Sequence, residues 1–160
     1  MVRPIIGTRS NPARIAWLSM LMFLPSVMNG AQPAGSLQVV KAWSRATAPG
    51  ATVGVAYFEI INSGAQDALV RVEAPVAARA QMHSMATIGG VMQMRELEAV
   101  EVPAHGRVRF EPGGLHVMLI DLVRPLKKGE RFPLTLVFQH ADPVHTQAIV
   151  QDLGTMTPPD

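Results

Sequence analysis

From Leu37 onward the chain reads as short apolar–polar runs separated by turn residues at roughly the 8–12-residue spacing of a sandwich or barrel. The alternation predicts strands at Leu37–Trp43, Gly54–Ile61, Ala68–Ala74, Arg79–Met85, Val91–Leu97, Arg107–Phe110, His116–Leu122, Phe132–Gln139 and Thr146–Gln151. Breakers stand between them: Ala48-Pro49-Gly50, Asn62-Ser63-Gly64, Gly89-Gly90, Val102-Pro103-Ala104-His105-Gly106, Pro112-Gly113-Gly114 and Lys127-Lys128-Gly129-Glu130. No stretch of about 11–18 residues in this part keeps a 3.6-residue apolar period. The pattern implies one all-β domain, a two-sheet sandwich with Greek-key connections, and no internal repeat.

The N-terminal segment departs from that pattern. Arg3, Arg9 and Arg14 precede the apolar run Ile15–Leu24, and a Pro25-Ser26 break with small and polar residues follows. A basic start, a short apolar core and a small-residue exit are the marks of a secretory signal. The run is shorter than the ~18–20 residues a membrane-spanning helix needs. The expected layout is a cleaved signal at 1–31, a linker at 32–36, a folded domain at 37–153 and a short tail at 154–160. Such a chain is exported to the periplasm and has no membrane contact beyond its signal.

Removing the signal changes the charge. Of 14 Lys+Arg, 11 remain against all 12 Asp+Glu, so the mature domain is near neutral at −1. The basic run that nucleic-acid binding requires is missing, and no nucleic-acid partner is expected. The chain has no cysteine. A disulfide framework, a lipid anchor on cysteine, dithiol exchange and a thiolate-ligated blue-copper centre are therefore not expected. About 120 ordered residues must rely on an ordinary apolar core, which that length allows.

Candidate chemistry concentrates in one region. Five of the six methionines after the signal lie between positions 82 and 118, with His83 and His116 among them. Two imidazoles and two thioethers, from His83, Met94, His116 and Met118, form a soft, uncharged donor set. It suits Cu(I) rather than zinc, magnesium or calcium. On a strand, His116 and Met118 project from one face, roughly 6–7 Å apart. His83 and Met94 flank a hairpin; with its turn centred between positions 88 and 89, His83 opposes Met94 and Met85 opposes Met92. Opposed residues have Cβ atoms about 4.5–5.5 Å apart, close enough to share an ion. A turn centred on Gly89-Gly90 would offset that pair. Met85 and Met92 are accessory candidates, and Met82 points to the opposite face, toward the core. His140 and His145 flank the turn Ala141-Asp142-Pro143. They read as solvated turn residues, with a weak Cu(II) site as the alternative, and His105 reads as exposed.

The spacing His-x10-Met-x21-His-x-Met at His83, Met94, His116 and Met118 resembles that of the PCu(A)C periplasmic copper chaperones. Its surroundings are similar too: Asn62-Ser63-Gly64, Gly90-Val91-Met92-Gln93-Met94-Arg95, Pro112-Gly113-Gly114-Leu115-His116-Val117-Met118-Leu119 and Pro125-Leu126-Lys127-Lys128-Gly129-Glu130. The resemblance spans residues 37–152. It implies a cupredoxin-like β-sandwich binding one Cu(I) per chain near its surface. It also implies delivery to the CuA domain of cytochrome c oxidase subunit II, directly or with a Sco-type protein. Some relatives carry a Met/His-rich tail for a second copper; here the tail has only Met156 and no His.

Two other readings compete with delivery. A copper-sequestering or resistance protein would use the same donors, and a metal-free interaction sandwich would use methionine only for packing. An enzyme is not expected, because no nucleophile–base pair, carboxylate pair or phosphate loop stands in a convincing context. A monomer is expected. Thioethers bind without losing a proton, so only His83 and His116 make affinity depend on pH, with weakening as pH falls through about 6.5.

Overall fold

The computed structural model describes residues 36–159, and the segment assigned above to the signal and most of the linker lies outside them. Contacts divide the chain into Met1–Gly30 and Ala31–Asp160, and all that follows concerns the second unit. Its elements are all strands: β1 Leu37–Arg45, β2 Val53–Asn62, β3 Asp67–Glu73, β4 Ala77–Ile88, β5 Val91–Leu97, β6 Val100–Val102, β7 Arg107–Phe110, β8 Leu115–Leu122, β9 Arg131–Phe138 and β10 Val144–Gln151. Among the described residues no helix is long and apolar enough to cross a membrane.

Nine of the ten strands match a predicted run with ends shifted by a few residues. β6 was not predicted. At three residues it is too short to show alternation, and its identity comes from pairing with β3, Leu69 opposite Val100.

The strands form one hydrogen-bonded ladder in the order β5-β4-β8-β7-β2-β1-β10-β9-β3-β6, with β8 also pairing β2. Neighbours such as β4 with β8 and β1 with β10 are not consecutive in sequence, as Greek-key crossovers require. One core cluster draws Ala56, Phe58, Met82, Val117 and Leu119 from one half of the order and Leu69, Leu134, Leu136, Ala148 and Val150 from the other. The ladder is thus folded over on itself as the expected sandwich. Its layers are joined through β1, which pairs antiparallel with β2 and parallel with β10.

Alternation sets what goes inside. In β9, Phe132, Leu134, Leu136 and Phe138 are buried while Arg131 and Pro133 are exposed. β2 follows the same rule with Ala56, Phe58 and Ile60 inward, but Tyr57 on the opposite face is buried as well. There its ring meets Trp43 with centroids 4.6 Å apart, and the Arg45 guanidinium lies 5.7 Å from the Tyr57 centroid. Trp43 reaches this place because β1 carries a bulge between Val40 and Trp43, with Lys41 at a φ of 52°. The outer face of the β1–β2–β8 layer is therefore covered rather than bathed in water. That cover builds one wall of the site.

Ser36, at the end of the expected linker, accepts hydrogen bonds at its carbonyl from the Ser63 N–H and hydroxyl. The short tail is held by Arg45, which donates to the Thr155 carbonyl at 2.7 Å and to Met156 Sδ.

Candidate metal centre

The site lies on the face of β5, β4 and β8 that points away from the core. Met82, Val117 and Leu119 face inward and are nearly inaccessible. Gln81, His83 and Met85 of β4, and His116 and Met118 of β8, therefore project outward together. Placing Met82 in the core and pairing His116 with Met118 on one face both agree with the sequence pattern.

The hairpin register differs from the expectation. His83 opposes Glu96, Met85 opposes Met94, Thr87 opposes Met92, and Ile88 opposes Val91. The turn is the two-residue Gly89-Gly90, with φ of 60° and 80°. Two successive positive φ values define a type I′ turn, whose twist matches that of the flanking strands. Ile88 and Val91 close it, and every pair behind them follows. The shift is an even number of residues, so Met94 stays on the same face as His83 but sits diagonal to it.

Across the other edge of β4, His83 directly opposes His116, Gln81 opposes Met118, and Met118 in turn faces Val55 of β2. The two imidazole centroids are 5.8 Å apart with planes tilted by 32°. A type II turn explains how His116 is set. In Glu111-Pro112-Gly113-Gly114, Pro112 takes the second position, Gly113 the third at φ 84°, and the Gly114 N–H donates to the Glu111 carbonyl at 3.0 Å. The Gly114 carbonyl, so placed, accepts from the Met85 N–H at 3.2 Å and from His116 Nδ1 at 3.1 Å. A carbonyl only accepts, so Nδ1–H donates this bond and Nε2 is the nitrogen left to bind an ion. The same arrangement orients metal-bound imidazoles generally.

His83 has a different environment. Its Nε2 lies 3.4 Å from Gln81 Oε1, and its Nδ1 is buried without a hydrogen-bond partner. Burial lowers the pKa of this ring below the ordinary histidine value. The His116 ring beside it acts in the same direction, and the Glu96 carboxylate opposes both. A ring held neutral, with a buried and unsatisfied nitrogen, suits a metal ligand better than it suits packing.

A cavity of about 510 Å³ opens onto this face, with Met85, Met94, His116 and Met118 in its lining. Val55 and Tyr57 of β2 also line it, as do Ala46, Thr47, Ala48 and Ala51 from the segment after β1. Met94, on the edge strand, is 48% exposed, whereas His116 is 5% exposed. His83 is not part of the lining and stands beside His116 within the sheet. Met92 shares the face but lies toward the turn and is 65% exposed. Among the described residues no three His, Asp or Glu side chains gather to hold an ion. The donors beside the two imidazoles on this face are thioethers, and thioether sulfur selects soft Cu(I).

The remaining histidines have other roles. His140 Nδ1 lies 3.2 Å from the buried Asp67 carboxylate, and its N–H donates to the same oxygen. His145 Nδ1 lies 3.0 Å from the Thr135 hydroxyl. The two rings thus have separate partners on either side of their turn. His105 is exposed at a turn, with a φ of 50°.

Several known proteins share this arrangement of strands. The PCuAC domain of PmoF2 in its apo form superposes with a TM-score of 0.65 at 28% identity, over 78% of this chain and 97% of that one. The copper-bound PCuAC domain from PmoF2 matches at 0.63 and 29%, over 75% and 96%. The Cu(I) form of DR1885 from Deinococcus radiodurans matches at 0.59 and 28%, over 78% and 82%. In sequence, the protein described as "Putative lipoprotein Lxx21020" of Leifsonia xyli subsp. xyli is 30% identical over 131 residues, 81% of this chain and 78% of its own length. Residues 37–150 match the family described as "Putative lipoprotein LpqE-like". The 160 residues here contain no cysteine to which a lipid could be joined. With that match across the whole sandwich, and with the fold of the PCuAC domains, the chain belongs to the LpqE-like family.

Proposed function

We propose that this protein is an exported Cu(I) carrier of the cell envelope, binding one ion through His83, Met94, His116 and Met118. It hands that ion to the CuA domain of cytochrome c oxidase subunit II, directly or through a Sco-type protein. One observation carries this reading. Two imidazoles stand side by side on β4 and β8, flanked on one outward face by thioethers from β5 and β8, where a cavity opens to solvent. The likeness to PCuAC domains solved with copper, one of them in the Cu(I) state, supports the choice of metal.

The chemistry is binding and exchange rather than catalysis. The Gly114 carbonyl engages His116 Nδ1 and leaves Nε2 for the ion, and burial lowers the pKa of His83, which favours the neutral ring that a metal needs. The thioethers contribute softness without charge. Because Met94 lies at an exposed edge, an acceptor's ligand can reach the ion before the buried His116 lets go.

The test is an anaerobic assay that mixes the Cu(I)-loaded protein with a soluble CuA domain, alone and with a Sco-type protein. Transfer to either acceptor is expected, with wild-type X-ray absorption showing mixed sulfur and nitrogen coordination. His116→Ala/Met118→Ala should abolish binding. An all-nitrogen shell, or full binding by that double variant, would remove the copper site. Retention of the ion against both acceptors would instead mark a sequestering protein that uses the same donors.

A further inference from the structure

We infer that Met85 is a copper ligand, a third thioether placed between Met94 and His116; this assignment rests on the Cu(I) reading above. The argument comes from the order of the strands. β5, β4 and β8 lie side by side, with β4 in the middle. Neighbouring strands are about 4.7–4.9 Å apart, so Met94 on β5 and His116 on β8 start from backbones separated by roughly twice that distance. An ion that both can reach must sit above β4. The side chains β4 projects at that level are His83 and Met85.

Three further observations favour Met85. The register places it directly opposite Met94, so these Cβ atoms belong to a cross-strand pair about 4.5–5.5 Å apart. Its backbone N–H and the His116 ring are both hydrogen bonded to the Gly114 carbonyl, which fixes Met85 beside the His116 end of the site. Its side chain lines the same cavity as Met94, His116 and Met118, a place His83 does not share. The unbranched side chain can swing its sulfur over the strand through three rotatable bonds.

Met92 is the natural contrast. It lies on the same face of the same hairpin, but it opposes Thr87, is strongly exposed and does not line the cavity. It is outside the donor set. With Met85 included, the site offers three thioethers and two imidazoles, more donors than a single Cu(I) uses at once. One thioether can then yield its place to an acceptor's ligand while the others retain the ion.

The assignment is tested by measuring Cu(I) affinity, by competition with a chromophoric Cu(I) chelator under anaerobic conditions, for wild type, Met85→Leu, Met94→Leu, Met92→Leu and His116→Ala. X-ray absorption of the loaded forms gives the sulfur count. Leucine keeps the volume and removes the donor, and the circular dichroism melt of each apo form checks its fold. Met85→Leu should weaken binding by at least about tenfold, the lower end of what even outer-sphere partners of a metal contribute. It should also lower the sulfur contribution, while Met92→Leu changes neither. If Met85→Leu matches wild type in affinity and sulfur count while His116→Ala loses the ion, the Met85 assignment is overturned and the copper site stands. If wild type itself takes no Cu(I), both fall.

Discussion

Asp67 shows how one side chain can hold two distant parts of this sandwich together. Its carboxylate is fully buried at the start of β3, where it accepts from the backbone N–H groups of Ala68, His140 and Ala141 and lies beside the His140 ring. Burial by itself would raise its pKa. The hydrogen bonds from Ala68, Ala141 and His140 outweigh that and hold it below the ordinary carboxylate value. A carboxyl depressed in the folded state contributes stability that is present above its unfolded pKa near 3.9 and is lost as pH falls through the lower, folded value. Asp67→Ala leaves three backbone donors without an acceptor and should cost at least about 2 kcal/mol at neutral pH. Urea unfolding at pH 7 and at successively lower pH should show that deficit shrinking toward acid. An equal deficit at every pH would contradict the role. The sequence does not show this, because two of the three residues that donate to Asp67, His140 and Ala141, lie more than seventy positions away. His140 is exposed at its turn, as the sequence leads one to expect, and its contact with Asp67 is what the sequence does not show.

At the scale of elements, the β4–β5 hairpin decides whether the site exists. Gly89 and Gly90 both take positive φ, a conformation that costs an L side chain about 1–2 kcal/mol and a β-branched one more. Gly90→Val should therefore loosen the hairpin and weaken Cu(I) binding, while Gly90→Asn, which tolerates that region, should preserve both. Comparing the melting temperature and Cu(I) affinity of the two variants checks this; equal loss from both would point to something other than backbone conformation. The Gly-Gly signal is visible in the chain, but a turn centred one residue earlier puts His83 opposite Met94. The error left the chemistry legible, because an even slip keeps each residue on its own face. What it concealed was the partner of Met94, which is Met85.

For the whole molecule, the all-β class and nearly all strands follow from alternation and turn residues, because one face of each strand must be apolar to build the core. The way the sheet closes does not, since the parallel β1–β10 pairing joins segments from opposite ends of the domain. Binding that stabilises only the folded form should be visible globally. At Cu(I) about 100-fold above its dissociation constant, the proposed site adds about 2.7 kcal/mol. For a domain of this size that is a rise in melting temperature on the order of 10 °C. Anaerobic thermal unfolding with and without Cu(I) measures it, and an unchanged melt would count against a tight site.

The β4–β8 pairing also sets an order of events. Met85 and Met94 meet within one hairpin, which local contacts can close early, whereas His83 meets His116 only after some thirty intervening residues have found their places. Before that, the hairpin offers two thioethers and one imidazole without His116 and Met118, half of the site at best. In the proposed carrier, cargo is taken on last, by a finished molecule. Wherever this chain completes its folding is the first place the proposed donor set exists.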